Sequence, residues 1–170
     1  MLRLIIVLIF LCSCSSEPEV KVYRQPKSKK YFGETPSSWM EQPAEGMRTA
    51  SFLVKGTGGE EVDISVIYLK GGAGSDLANI NRWRRELELP PVSQEELITA
   101  TLQTKLGPGK VVDLVGKNER IFVAFIRTEE GAWFFKMKGD TNLINRERDN
   151  FITFVKSFEY TLRNSRFSKS

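Results

Sequence analysis

Two spacings of apolar residues divide this chain. Met47 to Val54, Glu61 to Leu69, Thr101 to Leu106, Val111 to Val115, Arg120 to Arg127 and Ala132 to Lys138 carry the alternating or continuous apolar pattern of strands. Lys55-Gly56-Thr57-Gly58-Gly59 joins the first two as a hairpin loop, and Glu129-Glu130-Gly131 joins the last two. In the second strand Val62, Ile64, Val66 and Tyr68 form one face. The other begins with Asp63 and Ser65 but ends with Ile67 and Leu69, which predicts partial cover on that side. Ile121 to Ile126 is wholly apolar, as a central strand covered on both faces requires.

The helical period appears twice. Ser75 or Asp76 can cap a helix that buries Leu77, Ile80, Trp83 and Leu87 and stops before Pro90-Pro91. Phe151, Phe154, Val155 and Phe158 form the stripe of a final helix over Asn142 to Thr161. Ser93-Gln94-Glu95-Glu96 fits a capping box and predicts a short helix through Leu97 and Ile98. Hairpin strands, one helix pair inserted between them and one terminal helix describe an α+β fold, a sandwich with a mainly antiparallel sheet.

Arg3 followed by the apolar run Leu4 to Leu11 reads as a secretory signal, too short to span the roughly 20-residue thickness of a bilayer as a helix. Leu11-Cys12-Ser13-Cys14 resembles the lipobox of bacterial lipoproteins, with Leu11 at −3, Ser13 at −1 and Cys14 as the acylated residue; Cys12 at −2 departs slightly from the usual small residues. That resemblance implies a signal peptide at 1–13, a membrane-lipid anchor through Cys14 and, with Ser15 at +2, sorting to an outer membrane facing the periplasm. Residues 14–36, rich in Ser, Pro, Lys and Glu, read as a flexible tether with a basic stretch. Lys21, Arg24, Lys27, Lys29 and Lys30 would lie favourably on anionic lipid, but the simpler reading is solvation of the linker. The domain is expected at 37–162 and a basic tail at 163–170.

Of 170 residues none is His, and of the two Cys, Cys12 lies in the leader and Cys14 is the only one left after it. The commonest general base, the usual partner of a Ser or Cys nucleophile and the familiar zinc, copper and iron ligand sets are therefore missing. No metal or cofactor is expected, no catalytic residue stands out, and composition favours a binding module over an enzyme. The formal net charge of +4 is too weak to argue for nucleic acid.

Ser37-Ser38-Trp39, Met47-Arg48-x-Ala50-x-Phe52, Asn79-Ile80-Asn81-Arg82-Trp83-Arg84 followed by Leu89-Pro90-Pro91, and Phe151-x-x-Phe154-Val155-x-Ser157-Phe158 together resemble the PsbP-like superfamily of α/β/α sandwich domains, especially its uncharacterised bacterial members. The resemblance spans about residues 37–160. It implies a binding or assembly module and transfers no catalytic residue.

Two places could carry binding. Gly71-Gly72-Ala73-Gly74 before a helix N-terminus makes Gly72, Gly74 and Ser75 a candidate anion loop. It lacks P-loop spacing, and Asp76 opposes a phosphate, so a plain strand-to-helix turn is the simpler reading. Asn79, Asn81, Arg82 and Arg85 are the candidate partner-binding residues. Structural roles compete: Arg82 can pair with Glu86 and Arg85 with Glu88, while the two Asn, poor helix formers, suit a polar contact with the adjoining loop or with a ligand. Trp133, Phe134 and Phe135 offer aromatic surface to both sheet faces, core if covered and a groove if not. The expected function is a lipid-anchored, non-enzymatic envelope protein that binds another envelope protein or component, or alternatively a small-ligand carrier or sensor at the membrane surface.

Overall fold

The computed structural model describes residues 31–71 and 73–160. The signal peptide, Cys14, the basic tether cations, Gly72 and the 163–170 tail lie outside the described residues. Nine strands and two helices follow in the order β1 (Tyr31–Phe32), β2 (Met40–Gln42), β3 (Arg48–Lys55), β4 (Glu61–Lys70), α1 (Asp76–Glu86), β5 (Ala100–Thr104), β6 (Gly107–Val115), β7 (Glu119–Arg127), β8 (Gly131–Asp140), α2 (Thr141–Ser157) and β9 (Glu159–Tyr160). β2 to β8 form one sheet in the order β2-β3-β4-β8-β7-β6-β5, with every neighbouring pair antiparallel. α2 covers one face and α1 the other, the expected α/β/α sandwich.

Side-chain alternation sorts the sheet into two cores. Phe52, Ile64, Val66, Phe122, Phe135 and Met137 meet Phe151, Phe154, Val155 and Phe158 beneath α2. Val112, Ile121, Val123, Phe125 and Phe134 meet Ile80, Trp83 and Leu87 beneath α1. β7 is buried without a break from Arg120 to Ile126, as its unbroken apolar run requires. In α1, Leu77 is only half-buried, so the stripe there is one residue shorter than its spacing suggests.

Two expectations are corrected. The capping-box sequence forms a turn rather than a helix: Glu96 Oε2 does reach back to accept from the Ser93 N–H at 2.8 Å, but Ile98 is 88% exposed and Ala100 already belongs to β5. A cap without an apolar face to bury does not propagate. The terminal helix ends at Ser157, not Thr161, because Phe158 turns extended into the core and Glu159–Tyr160 pair with Tyr31–Phe32. That same pairing sets Tyr31–Phe32 against the end of the domain.

Trp39 ties the domain's start to α2. Its ring lies 5.6 Å from Phe52 and 5.2 Å from Phe154, and its indole N–H donates to the buried Glu147 carboxylate at 2.8 Å. Asn150 donates to the same oxygen at 2.9 Å. Replacing Trp39 with Phe keeps the ring contacts but removes the indole donor, and should lower stability by about 1–3 kcal/mol in chemical denaturation.

The end of α1 is set by backbone geometry. Glu88 takes φ 58°, the Leu89 N–H bonds the Arg84 carbonyl at 2.9 Å and the Glu88 N–H bonds the Arg85 carbonyl at 3.1 Å, the paired bonds of a Schellman cap. That left-handed position favours glycine and strains any residue with a Cβ. Glu88→Gly should therefore stabilise the domain by about 0.5–1 kcal/mol, the relieved strain exceeding the extra unfolded-state entropy, as an upward shift in melting temperature.

Candidate functional site

α1 lies over β6, β7 and β8, where the Trp83 ring approaches Phe125 at 6.1 Å and Phe134 at 6.0 Å. The same face of β3 and β4 is left beside it, and a groove of about 240 Å³ opens between helix and sheet. Ile67, Leu69 and Phe134 give it an apolar floor, Trp83 and Arg82 its helix wall, and Met47, 72% exposed, its rim. The partial cover predicted from Ile67 and Leu69 is what makes the groove.

Its polar groups fall into two kinds. Glu86 accepts from Lys136 at 3.0 Å, and Lys138 lies 4.0 Å from the same oxygen and 3.5 Å from Glu119. Glu86 therefore pairs across to β8 and not with Arg82, since strand lysines aimed up at the helix reach it first. Arg82 instead lies 5.9 Å from the Trp83 ring and makes no ion pair among the described residues. The Ser65 hydroxyl and the Trp83 indole N–H, on side chains only 2% and 3% exposed, likewise make no hydrogen bond among the described residues. No sealed side-chain N or O atom there lacks a partner, so both groups are reachable from the groove. An apolar floor with a free cation, a free donor and a free hydroxyl is the usual chemistry of a recognition site.

The other candidate residues have different work. Asn79, 7% exposed, donates to the Ala73 and Ser75 carbonyls at 2.7 and 3.0 Å. Asn81 holds both sides of the Val92 backbone, donating at 3.0 Å and accepting at 2.9 Å, while Arg84 donates to the Pro90 carbonyl at 2.6 Å. Both Asn amides are thus spent on the adjoining loops. Arg85 is exposed, does not line the groove, and forms no pair with Glu88 among the described residues. Lys136, Met47 and Ser65 do not stand out as binding residues in the sequence, although Phe134 and Lys136 at i and i+2 had to share a face.

The helix N-terminus that follows the glycine loop is taken by the chain's own side chains. Gly74 takes φ +73° and its carbonyl accepts from Arg127 at 2.6 Å; Ser75 caps α1 by accepting from the Ala78 N–H at 3.1 Å. The Asp76 carboxylate stands at the helix N-terminus, taking Lys110 at 2.7 Å and Arg127 at 2.8 Å. Burial alone would push the Asp76 carboxyl upward, and it is the largest single influence. The hydrogen bonds and charges of Lys110 and Arg127 together outweigh it and hold the group below its ordinary value. A carboxyl depressed in the folded state stabilises above its unfolded pKa, and that contribution is lost as pH falls through the folded one. Asp76→Asn should cost about 1 kcal/mol at neutral pH, with the gap to wild type closing below about pH 4 in parallel urea titrations.

Among the described residues no helix is long and apolar enough to cross a membrane, and no three His, Cys, Asp or Glu cluster as metal ligands. The fold is that of an α/β/α sandwich domain with a groove on one side of its sheet. No family model matches the chain and no curated protein matches it in sequence. Among solved structures, cyanobacterial PsbP (CyanoP) from Synechocystis sp. PCC 6803 is similar at 13% identity and a TM-score of 0.50, covering 87% of this chain and 99% of that one. LpqN of Mycobacterium tuberculosis, described as involved in cell envelope biogenesis, is similar at 14% identity and a TM-score of 0.44, over 78% of this chain and 83% of that one. The likeness to PsbP is one of fold.

Proposed function

We propose that this chain is a non-catalytic binding module, held at a bacterial membrane through an acylated Cys14, whose α1 groove receives an apolar side chain of an envelope protein beside a carboxylate that meets Arg82. The observation that carries this reading is the groove itself: an apolar floor, an exposed Met47 at the rim and a guanidinium with no ion-pair partner among the described residues. Its volume of about 240 Å³ falls below the roughly 300–1,000 Å³ typical of sites that enclose a small molecule, which favours an anchoring side chain over a carried ligand. Arg and Met are also among the residues enriched at protein interfaces. The leader pattern supports the membrane location, with the periplasmic side of an outer membrane as its finer form. The missing His supports the lack of catalysis. The small-ligand carrier remains the second reading, favoured by a larger cavity on the opposite face of the sheet.

The test is recovery of partners from detergent-solubilised native membranes with the C-terminally tagged chain, read by mass spectrometry beside Cys14→Ala and Arg82→Glu. A near-stoichiometric protein should accompany the wild type, fall about tenfold or more with Arg82→Glu, as expected of an interface Arg worth some 1.4 kcal/mol or more, and fall with Cys14→Ala. Undiminished recovery with Arg82→Glu would remove the groove from the interface. A Cys14→Ala chain that stays in the membrane fraction would remove the anchor.

A further inference from the structure

The α2 face of the sheet also has an uncovered end. β4 and β8 continue to Lys70 and Gly131 at the β7–β8 hairpin, whereas α2 stops at Ser157. Tyr68 and Trp133, directly opposed in the ladder, stand on this face, and β9 brings Tyr160 beside them. Ring centroids lie 4.8 Å apart for Tyr68–Trp133 and 4.8 Å for Trp133–Tyr160. These rings, with Leu106 and the hairpin residues Glu129 and Glu130, wall a cavity of about 370 Å³. Aromatic groups line it from three separate strands, and two carboxylates stand at its edge.

Two carboxylates stand beside it. Glu129 and Glu130 are exposed, and neither carboxylate has an ion pair or hydrogen bond among the described residues. Of the cations nearby, Lys105 pairs with Glu159 and Arg127 with Asp76, while Lys70, opposite Gly131 in the ladder, is exposed and pairs with neither carboxylate. Trp133 is only 3% exposed and its indole N–H makes no hydrogen bond among the described residues, yet no side-chain polar atom is sealed there without a partner. The donor is therefore reachable from the cavity that Trp133 lines.

We propose that this cavity binds a small alkylammonium group carrying an oxygen acceptor, with the ammonium against the aromatic rings and the Glu129 and Glu130 carboxylates and the acceptor on the Trp133 indole N–H. Ring faces attract ammonium ions, most strongly those of Trp, and the carboxylates complete the charge. The volume suits a small molecule. The site lies across the sheet from the α1 groove and stands independently of the partner bound there. A free amino alcohol and the head group of an aminophospholipid share this chemistry.

The test titrates ethanolamine and choline into the full-length, ¹⁵N-labelled Cys14→Ala chain and follows the indole resonances of its three Trp, with potassium chloride and ethylene glycol as ionic and neutral controls. The Trp133 resonance should move with either amine and with neither control, and E129Q/E130Q, at exposed hairpin positions, should weaken binding at least about fivefold. Co-sedimentation with phosphatidylethanolamine vesicles that the double variant loses, without a shift from free amines, would assign the site to a lipid head group. An equal shift with potassium chloride, unchanged affinity in E129Q/E130Q, or no response to any amine or vesicle would overturn it.

Discussion

The central strands β7 and β8 are apolar on both faces, and this constraint governs the rest of the molecule. From Ile121 to Ile126 and from Ala132 to Phe135 every side chain is buried. Each large apolar side chain gains roughly 1.5–3 kcal/mol on burial, so neither face can be left to water. An antiparallel sheet can leave one face wet, but this one needs a helix on each side. The chain meets that need by inserting α1 between β4 and β5 and appending α2 after β8, and the Phe154 ring joins Trp39, Phe52, Phe135 and Phe158 into a single aromatic layer under α2.

The binding surfaces follow from how far each helix reaches. α1 runs along the strands, from Asp76 beside Lys110 and Arg127 to Leu87 beside Gly116, so a single helix about 10 Å across lies on a seven-stranded sheet about 30 Å wide. α1 therefore roofs β6, β7 and β8 and leaves β3 and β4 beside it. Most uncovered positions answer in kind: Ser51, Asp63, Ser65 and Lys136 are polar, Arg48 forks onto Asp63 at 2.7 and 2.9 Å, and Ile67, Leu69 and Phe134, nearest the helix, stay apolar. On the opposite face α2 stops before the strands do, which leaves Tyr68 and Trp133 to line a cavity at the hairpin end.

Much of this was legible along the chain because it depends on neighbours in sequence. Apolar period two marked the six long strands to within a few residues, period 3.6 marked both helices, and Ser75 was a recognisable cap. Asn79 and Asn81 stood out because Asn is costly in a helix, and their loop contacts explain that cost. The short strands β1, β2 and β9 were not legible, since two or three residues carry no period and pairing alone defines them. Arg82 could be named from sequence as a candidate, but its freedom from Glu86 could not, because that depends on Lys136 and Lys138 arriving from β8.

The sequence by itself determined an α+β sandwich, the two helices that bury an apolar stripe, a doubly covered central strand, a leader that resembles a lipobox and a chemistry without His. Each is a property of residue type or of spacing within one element. Tertiary structure alone decided where α2 ends, which cation Glu86 takes, and that the two uncovered faces become a groove beside α1 and an aromatic cavity beside the β7–β8 hairpin. Those outcomes depend on which strand lies next to which and how far each helix reaches, distances set by packing between residues far apart in the chain.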